Sequence, residues 1–213
     1  MSEIDYKSHW EKVYTKTTFD KLGWYEKVAA PTLELIQLCK LSKNAKILNV
    51  GAGATTFIND LLKLGYTNLL ANDISAAALE VLKKKINEDD VNKVQFIIDD
   101  LTNPKKLSNI NNIDIWYDRA VLHFFTVEKD QDTYFNLLRA ILKPGGFAII
   151  AVFNLQGATK CSGLDVFRYN ATMLQNKLGN DFKLIKTFDY IYTMPTGEER
   201  SYIYTLFQNI KNE

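Results

Sequence analysis

Short apolar runs alternate along the chain with stretches in which apolar residues recur every three or four positions. The apolar runs predict buried strands at 46–50, 94–98, 113–117 and 147–153, with a shorter strand beginning at Leu69. Helical spacing is clearest in a stripe made of Tyr134, Leu137, Leu138, Ile141 and Leu142. Strands and helices in alternation are typical of an open α/β sheet with mostly parallel strands.

Several residues mark where the intervening helices begin and end. Pro31 suits the first turn of a helix, and Ser75 can cap the helix that follows the second strand. The helix after the first strand is expected to place Phe57, Leu61, Leu62 and Leu64 inward and to end before Gly65. The run Lys83, Lys84 and Lys85 is interpreted as a solvated helix face.

Two longer apolar patterns follow a loop over 154–166 and a helix over 171–178. Strands at 182–192 and 201–207 are joined by the short turn 194–197, which predicts an antiparallel pair. The predicted fold is therefore a Rossmann-like doubly wound sheet of about seven strands, mostly parallel, with an antiparallel C-terminal hairpin.

The chain is expected to form a single domain over residues 1–213. Residues 31–213 would form the Rossmann-like core, and residues 1–30 an arm crowded with aromatic side chains but without a clean period. Such an arm either covers a ligand site as a lid or plugs one end of the core. Both interpretations remain open from the sequence.

The composition is that of an ordinary globular protein and does not indicate a binding partner. With 213 residues and 46% hydrophobic content, the chain can bury a sizeable core. Its 26 Lys and Arg against 25 Asp and Glu give a net charge of +1, which favours neither nucleic acid nor anionic lipid as partner. The polar first residues and the lack of an apolar run of roughly 20 residues predict a cytoplasmic protein without a membrane span.

Cysteine and histidine are too few to define a site on their own. Two cysteines, Cys39 and Cys161, make no disulfide framework in a chain of this length. The two histidines, His9 and His123, have no spacing to cysteine that suits zinc, so no metal is expected.

The first strand leads directly into a glycine turn, Gly51–Ala52–Gly53. Glycines let the backbone approach a ligand closely, and the free N–H groups of the following helix point towards that ligand. Asp73 follows Gly53 by 20 residues at the end of the second strand, a spacing at which an acid meets a ribose in nucleotide-binding βαβ units. The third glycine of a dinucleotide turn would fall at Thr56, which disfavours a pyrophosphate ligand.

Polar residues also follow the third and fourth strands, as Asp99–Asp100 and Asp118–Arg119. Ligands of open α/β sheets bind outside the carboxyl ends of the strands, so these residues should surround one site. For Asp73 and Asp100 the structural alternative is that the strand-end acid caps a neighbouring helix.

These features together resemble a class I S-adenosylmethionine-dependent methyltransferase over nearly the whole chain. The matching stretches are 49–53, 73–75, 100–101, 118–121, the Leu142-Lys-Pro-Gly-Gly146 turn and the final hairpin. Further stretches at 10–14, 24–25, 117–124, 161–164 and 168–169 are similar to a subgroup of small bacterial enzymes with relatives among the citrate synthase lysine methyltransferases.

The resemblance implies a site for S-adenosylmethionine, with S-adenosylhomocysteine as product. Gly51, Ala52 and Gly53 would border the methionine and ribose. Asp73 would accept hydrogen bonds from both ribose hydroxyls, and Ile74 would pack against the adenine.

The same resemblance assigns the remaining contacts. Asp100 would accept from the adenine amino group, the backbone N–H of Leu101 would bond a ring nitrogen, and the carbonyl of Asp118 would hold the methionine ammonium. Trp24 and Tyr25 would close over the cofactor, with Arg119 beside them. Where many family members carry an acid, this chain has Asn49, which exchanges a charge-assisted contact for a weaker neutral one.

Methyl transfer requires alignment of nucleophile, methyl and sulfur in a dry pocket, and needs no obligatory triad. An amine or hydroxyl acceptor must lose a proton, and Asp118 and His123 are the candidate bases. His123, followed by two phenylalanines, is equally consistent with a packed core residue.

The acceptor is expected to be a small molecule or a protein, possibly a lysine side chain, and the enzyme to act as a monomer without nucleic acid. Two alternatives remain at this point, a nicotinamide-dependent oxidoreductase and a catalytically reduced S-adenosylmethionine-binding protein.

Overall fold

The computed structural model describes residues 5–211. The helices are α1 (Tyr6–Lys16), α2 (Ala30–Leu38), α3 (Phe57–Lys63), α4 (Ala76–Lys84), α5 (Glu128–Ile141) and α6 (Ala171–Leu178). The strands are β1 (Lys46–Val50), β2 (Asn68–Asp73), β3 (Val94–Ile98), β4 (Ile113–Arg119), β5 (Leu142–Phe153), β6 (Lys160–Cys161), β7 (Leu164–Asp165), β8 (Phe182–Thr193) and β9 (Glu199–Asn209).

Seven strands form one twisted sheet in the order β3-β2-β1-β4-β5-β9-β8. All pairs among β1 to β5 are parallel, whereas β9 runs antiparallel to both β5 and β8. This confirms the predicted Rossmann-like sheet with an antiparallel hairpin. The strand order reverses between β1 and β4, and a crevice at such a switch point is where open α/β sheets bind ligands.

Each face of the sheet has its own apolar core because neighbouring strand residues point to opposite sides. Ile47 and Tyr117 belong to the core beneath α2, α3 and α4, while Leu48 and Trp116 belong to the core beneath α5 and α6. Strands covered by helices on both faces have continuous apolar runs, which makes them recognisable in the sequence.

Two expectations about helix faces are wrong. Leu64 is 40% exposed because α3 ends at Lys63 and the chain turns away at Gly65, which adopts a positive φ of 85°. Lys85 does not lie on the solvated face of α4. Its Nζ donates to the carbonyl of Ala54 and sits 3.0 Å from the ring centroid of Phe19, because the helix has ended one residue earlier.

The C-terminal half is more regular than the sequence pattern indicates. β5 begins at Leu142, ahead of the Pro-Gly-Gly segment, and a register shift against β4 between Ile113 and Ile115 accommodates that segment. The loop after β5 contains a small antiparallel ribbon, β6 and β7, that the apolar pattern does not reveal. Within residues 5–211, no helix has the length and apolarity needed to cross a membrane.

Candidate active site

The carboxyl ends of β1 to β4 open into a cleft of about 720 Å³. The predicted residues that line this cleft are Trp24, Gly51, Asp73, Ile74, Asp100, Leu101 and Arg119. The N-terminal arm forms the opposite wall with Tyr6, Trp10 and Tyr14. The strand ends are therefore brought together as the sequence predicts, and the arm lies over them.

The glycine turn is shaped by close neighbours as well as by backbone conformation. Gly51 and Gly53 have φ values of 56° and 52°, which side chains rarely adopt. A Cβ on Gly51 would lie 2.1 Å from Cγ2 of Val121, and a Cβ on Gly53 would lie 2.2 Å from the hydroxyl of Tyr14. Both positions favour glycine. Gly51 lines the cleft, whereas Gly53 does not, and the hydroxyl of Tyr14 occupies the space beside it.

Asp73 links the glycine turn to the start of α4. Its Oδ2 accepts from the backbone N–H of Gly53 at 2.8 Å, and its Oδ1 accepts from that of Ser75 at 2.9 Å. Burial raises the pKa of this carboxyl to about 6, although both hydrogen bonds oppose the shift. Each carboxylate oxygen has a second lone pair, so the residue fixes the turn and can still accept from a ligand.

The loop after β3 presents a second carboxylate. Asp100 accepts from the backbone N–H and the hydroxyl of Thr102, both at 2.8 Å and both through Oδ1. The neighbouring Asp99 anchors the loop, because its Oδ2 accepts backbone N–H bonds from Lys105, Lys106 and Leu107. Asp100 is thus positioned by its surroundings with Oδ2 left for a ligand in the cleft.

The structure argues against Asp118 as a base. Its side chain is fully buried on the α5 side of the sheet, where it accepts from the backbone N–H groups of Val121 and Leu122 and from the hydroxyl of Tyr134 at 2.8 Å. Burial raises its pKa to about 6, and the side chain does not line the cleft. The alternation of β4 explains this, because Arg119 and Tyr117 face the other side.

His123 is also unsuited to taking a proton from an acceptor. Its ring is fully buried, 4.5 Å from the ring centroids of Phe124 and Phe153, and does not line the cleft. Burial lowers its pKa to about 3, so the imidazole is neutral, and both nitrogens lack a hydrogen-bond partner. The packed-core interpretation fits this environment better than the catalytic one.

The arm is fastened to the core by a side chain that no sequence pattern singles out. Glu11 of α1 accepts from the hydroxyl of Ser75 at 2.6 Å and from the backbone N–H of Ala77, so it joins Ser75 in capping α4. The hydroxyl of Tyr6 donates to the carbonyl of Phe124 at 2.7 Å. Contacts between residues this far apart in the chain leave no local signal.

Aromatic rings of the arm pack on one another where they face the cleft. The ring of Trp10 lies 5.5 Å from that of Trp24 and 4.9 Å from that of Phe124, both in edge-to-face geometry. Tyr14 lies 6.1 Å from Trp24. The crowding of aromatics over residues 8–26 is visible in the sequence, and the structure shows that these rings cover the cleft.

A smaller cavity of about 470 Å³ adjoins the glycine turn on the other side of Trp24. Tyr25, Glu26, Asn49, Ala52 and Arg119 line it. The Nδ2 group of Asn49 donates to the carbonyl of Val50, while its Oδ1 is buried without a partner. This amide therefore brings no charge to the cavity.

The larger cleft also meets an open groove at Trp24 and Cys161. The groove, of about 990 Å³, runs between the arm, the β6–β7 ribbon and the β8–β9 hairpin. Burial raises the pKa of the Cys161 thiol to about 11, so it is not a thiolate at neutral pH. In the part of the chain that the structure describes, no three His, Cys, Asp or Glu side chains gather as a metal site would require.

Comparison with known proteins gives a consistent result. A family model described as a methyltransferase domain matches residues 48–150. The chain is 26% identical over 180 residues to EEF1A lysine methyltransferase 2 of Danio rerio, and the match covers 78% of this chain and 75% of that relative.

Two solved structures show the same fold. A SAM-dependent methyltransferase from Anabaena variabilis superposes with a TM-score of 0.75 at 15% identity, covering 97% of this chain and 96% of that one. The 1,6-didemethyltoxoflavin-N1-methyltransferase of Burkholderia thailandensis, solved with 1,6-didemethyltoxoflavin and S-adenosylhomocysteine, gives a TM-score of 0.70 at 18% identity, covering 96% and 87%.

The oxidoreductase alternative finds no support at the glycine turn. The side chain of Thr56 occupies the position of the third glycine, and its Oγ1 donates to the carbonyl of Glu26 at 3.0 Å. The family match, the relatives and the sheet order all agree with the resemblance seen in the motifs. The chain is an S-adenosylmethionine-dependent methyltransferase with a methyltransferase domain over residues 48–150, and S-adenosylmethionine is its cofactor.

Proposed function

We propose that this enzyme methylates the side-chain amine of a lysine in a protein partner. The observation that carries the proposal is the continuity of the aromatic cleft with the open groove at Trp24 and Cys161. A polypeptide segment lying in the groove could extend one long side chain past Trp24 into the cleft. The relative from Danio rerio is named as a lysine methyltransferase, which supports the same acceptor.

The residues of the cleft fit the adenosine part of the cofactor. Asp73 would accept from the ribose hydroxyls, and Oδ2 of Asp100 from the adenine amino group. Ile74 would pack against the adenine, with the backbone N–H of Leu101 on a ring nitrogen. Gly51 lines both the cleft and the smaller cavity, so its backbone can approach this ligand closely.

When bound, the cofactor supplies a methyl group on a positively charged sulfur. The protein's part is to align the acceptor and to exclude water, and the rings of Trp10, Tyr14 and Trp24 serve both purposes. An alkyl chain packs well between such rings, and an ammonium or methylammonium is attracted to their faces. The aromatic wall therefore favours a lysine side chain over an acidic acceptor.

The amine must reach the methyl group without its proton. Asp118 and His123 face away from the cleft, so we assign the proton to solvent, which receives it before the arm closes over the acceptor. The methyltransferase activity is then expected to rise with pH as more of the acceptor amine becomes neutral. The narrower placement beside the citrate synthase lysine methyltransferases stays a prediction.

Transfer of tritiated methyl groups from S-adenosylmethionine to folded protein acceptors tests the proposal. Purified EEF1A is the first acceptor to use, with the same protein after acetylation of its lysines as the matched control, because an amide nitrogen cannot accept the methyl group. We expect label only in the untreated protein, mapped to lysine by mass spectrometry. Label in small amines alone, or on a residue other than lysine, would contradict the proposal.

A further inference from the structure

The smaller cavity beside the glycine turn holds two opposite charges. Among the described residues, Glu26 and Arg119 are the only charged ones lining it, and their side chains are 10% and 8% exposed. Oε1 of Glu26 lies 3.1 Å from Nη2 of Arg119. A buried ion pair is weak evidence for stability, since the cost of desolvating both charges offsets their attraction.

The guanidinium of Arg119 is held from several sides but retains a free donor. Its Nε donates to the hydroxyl of Tyr204 at 3.1 Å, and its Nη1 donates to the carbonyl of Trp24 at 2.9 Å. Nη2 is buried and makes no hydrogen bond of good geometry, even to Glu26. A buried guanidinium N–H without an acceptor indicates that a ligand oxygen completes its bonding.

We infer that Glu26 and Arg119 bind the amino-acid end of the cofactor, Glu26 accepting from its α-ammonium and Arg119 donating to its α-carboxylate. The inference rests on the adenosine placement proposed above. Trp24, Gly51 and Arg119 line both cavities, so a ligand with its nucleoside in the larger cleft can reach the smaller one past Gly51. A zwitterion matches a cavity that contains one charge of each sign.

In this assignment, Glu26 supplies the negative charge that the neutral amide of Asn49 cannot supply. Asn49 lines the same cavity but offers only a neutral amide, whereas Glu26 enters it from the arm. The carbonyl of Glu26 is held by Thr56, and that of Trp24, two residues earlier, is held by Arg119. The backbone before Glu26 is therefore fixed to both α3 and β4, and the carboxylate is placed before any ligand arrives. The carbonyl of Asp118 would share the α-ammonium.

Calorimetry with two ligands separates this role from a structural one. S-adenosylhomocysteine carries the amino-acid end, and 5′-methylthioadenosine lacks it. Glu26→Gln should weaken S-adenosylhomocysteine binding by about 10- to 100-fold, because a charge-assisted bond is lost. Binding of 5′-methylthioadenosine should stay within about twofold, since the adenosine contacts are independent of Glu26.

Glu34→Gln is the matched control, because Glu34 is a half-exposed glutamate that pairs with Lys186 away from both cavities. It should change neither ligand's affinity. If the Glu26–Arg119 pair only stabilised the fold, Glu26→Gln would lower the melting temperature and leave the ratio of the two affinities unchanged. That unchanged ratio would overturn the inference.

A ligand series on the unmodified protein gives a test that does not depend on how the variant folds. Decarboxylated and deaminated analogues of S-adenosylhomocysteine should each bind at least about tenfold more weakly than the parent, because each lacks one of the two charge-assisted bonds to the cavity. Equal binding of either analogue would overturn the inference while leaving the adenosine site intact. Failure of the unmodified protein to bind S-adenosylhomocysteine at all would overturn both this inference and the proposed function.

Discussion

The two walls of the cleft are built differently. The strand-end wall is buried and bonded through backbone groups: Asp73 is 5% exposed, Ser75 is fully buried, and both bonds to the Asp73 carboxylate come from backbone N–H groups. The arm wall is less buried. Helix α1 has no fully buried residue, and it is held to the core by the bonds of Glu11 and Tyr6 and by ring contacts. We therefore expect the strand ends to form the fixed part of the proposed nucleoside site, and the arm to determine how tightly that site closes.

Among changes in the strand-end wall, Asp73→Ala should have the largest effect on cofactor affinity. Loss of the acceptor for both ribose hydroxyls should weaken S-adenosylhomocysteine binding by about 1–3 kcal/mol, measured by calorimetry. Asp73→Asn keeps the size of the side chain and one acceptor oxygen, so it should lose less. Unchanged affinity in the alanine variant would remove Asp73 from the cofactor site.

The pH dependence of cofactor affinity is a second test of whether Asp73 takes part in binding. The ionised carboxylate is the better acceptor, and the pKa of Asp73 in the cofactor-free protein is about 6. Below that pH the carboxyl is protonated before binding, so the dissociation constant should rise by about tenfold per pH unit as the pH falls below 6. Calorimetry between pH 5 and 8 checks this, and Asp73→Asn should flatten the curve. If the affinity of the wild-type protein did not change across that range, the ionisation of Asp73 would not be linked to binding.

Glu11→Ala tests how the arm wall is held to the core. The variant removes the bonds from α1 to Ser75 and Ala77, so the arm should open more often and cofactor affinity should fall by about threefold to tenfold. Lys12→Ala, one position along the same helix on an exposed side chain, is the control. Proteolysis of the arm should also become faster in the Glu11 variant alone. Equal behaviour of the two variants would mean that Glu11 does not fasten the arm.

The smallest expected effect on cofactor binding comes from Ser75→Ala, which removes the N-cap of α4. Unfolding in urea should show a loss of about 1 kcal/mol. Cofactor affinity should fall by no more than about threefold, because Asp73 bonds the backbone of Ser75 and Glu11 keeps its bond to the backbone N–H of Ala77 when the hydroxyl is lost. Asn170→Ala removes the corresponding cap of α6 at a residue that lines neither the cleft nor the smaller cavity, and it should cost similar stability without any change in affinity. A larger affinity loss at Ser75 than at Glu11 would reverse the comparison of the two walls.

The two walls also differ in how far the sequence predicts them. The strand-end residues follow apolar runs at fixed spacings, so the sequence alone places Gly51, Asp73 and Asp100 on one edge of the sheet. Side-chain direction is harder to predict, because a strand alternates its faces with every residue. Asp118 therefore faces the α5 core although its neighbour Arg119 lines the cleft.

The arm has no such regularity. Its aromatic content predicts that it covers something apolar, but Glu11 bonds to Ser75 across 64 positions of sequence and Glu26 pairs with Arg119 across the cavity. Long-range polar contacts leave no periodic trace in a single sequence. His123 illustrates the same limit, because the sequence allows both a base and a core residue, and only its burial against Phe124 and Phe153 distinguishes the two.

A crystal structure of the enzyme with S-adenosylhomocysteine tests the central claim most directly. We predict the ribose hydroxyls on the carboxylate of Asp73, the adenine beside Asp100 and Leu101, and the amino-acid end between Glu26 and Arg119. A complex in which the ribose lies away from Asp73, or in which the ligand occupies a different part of the molecule, would contradict that claim.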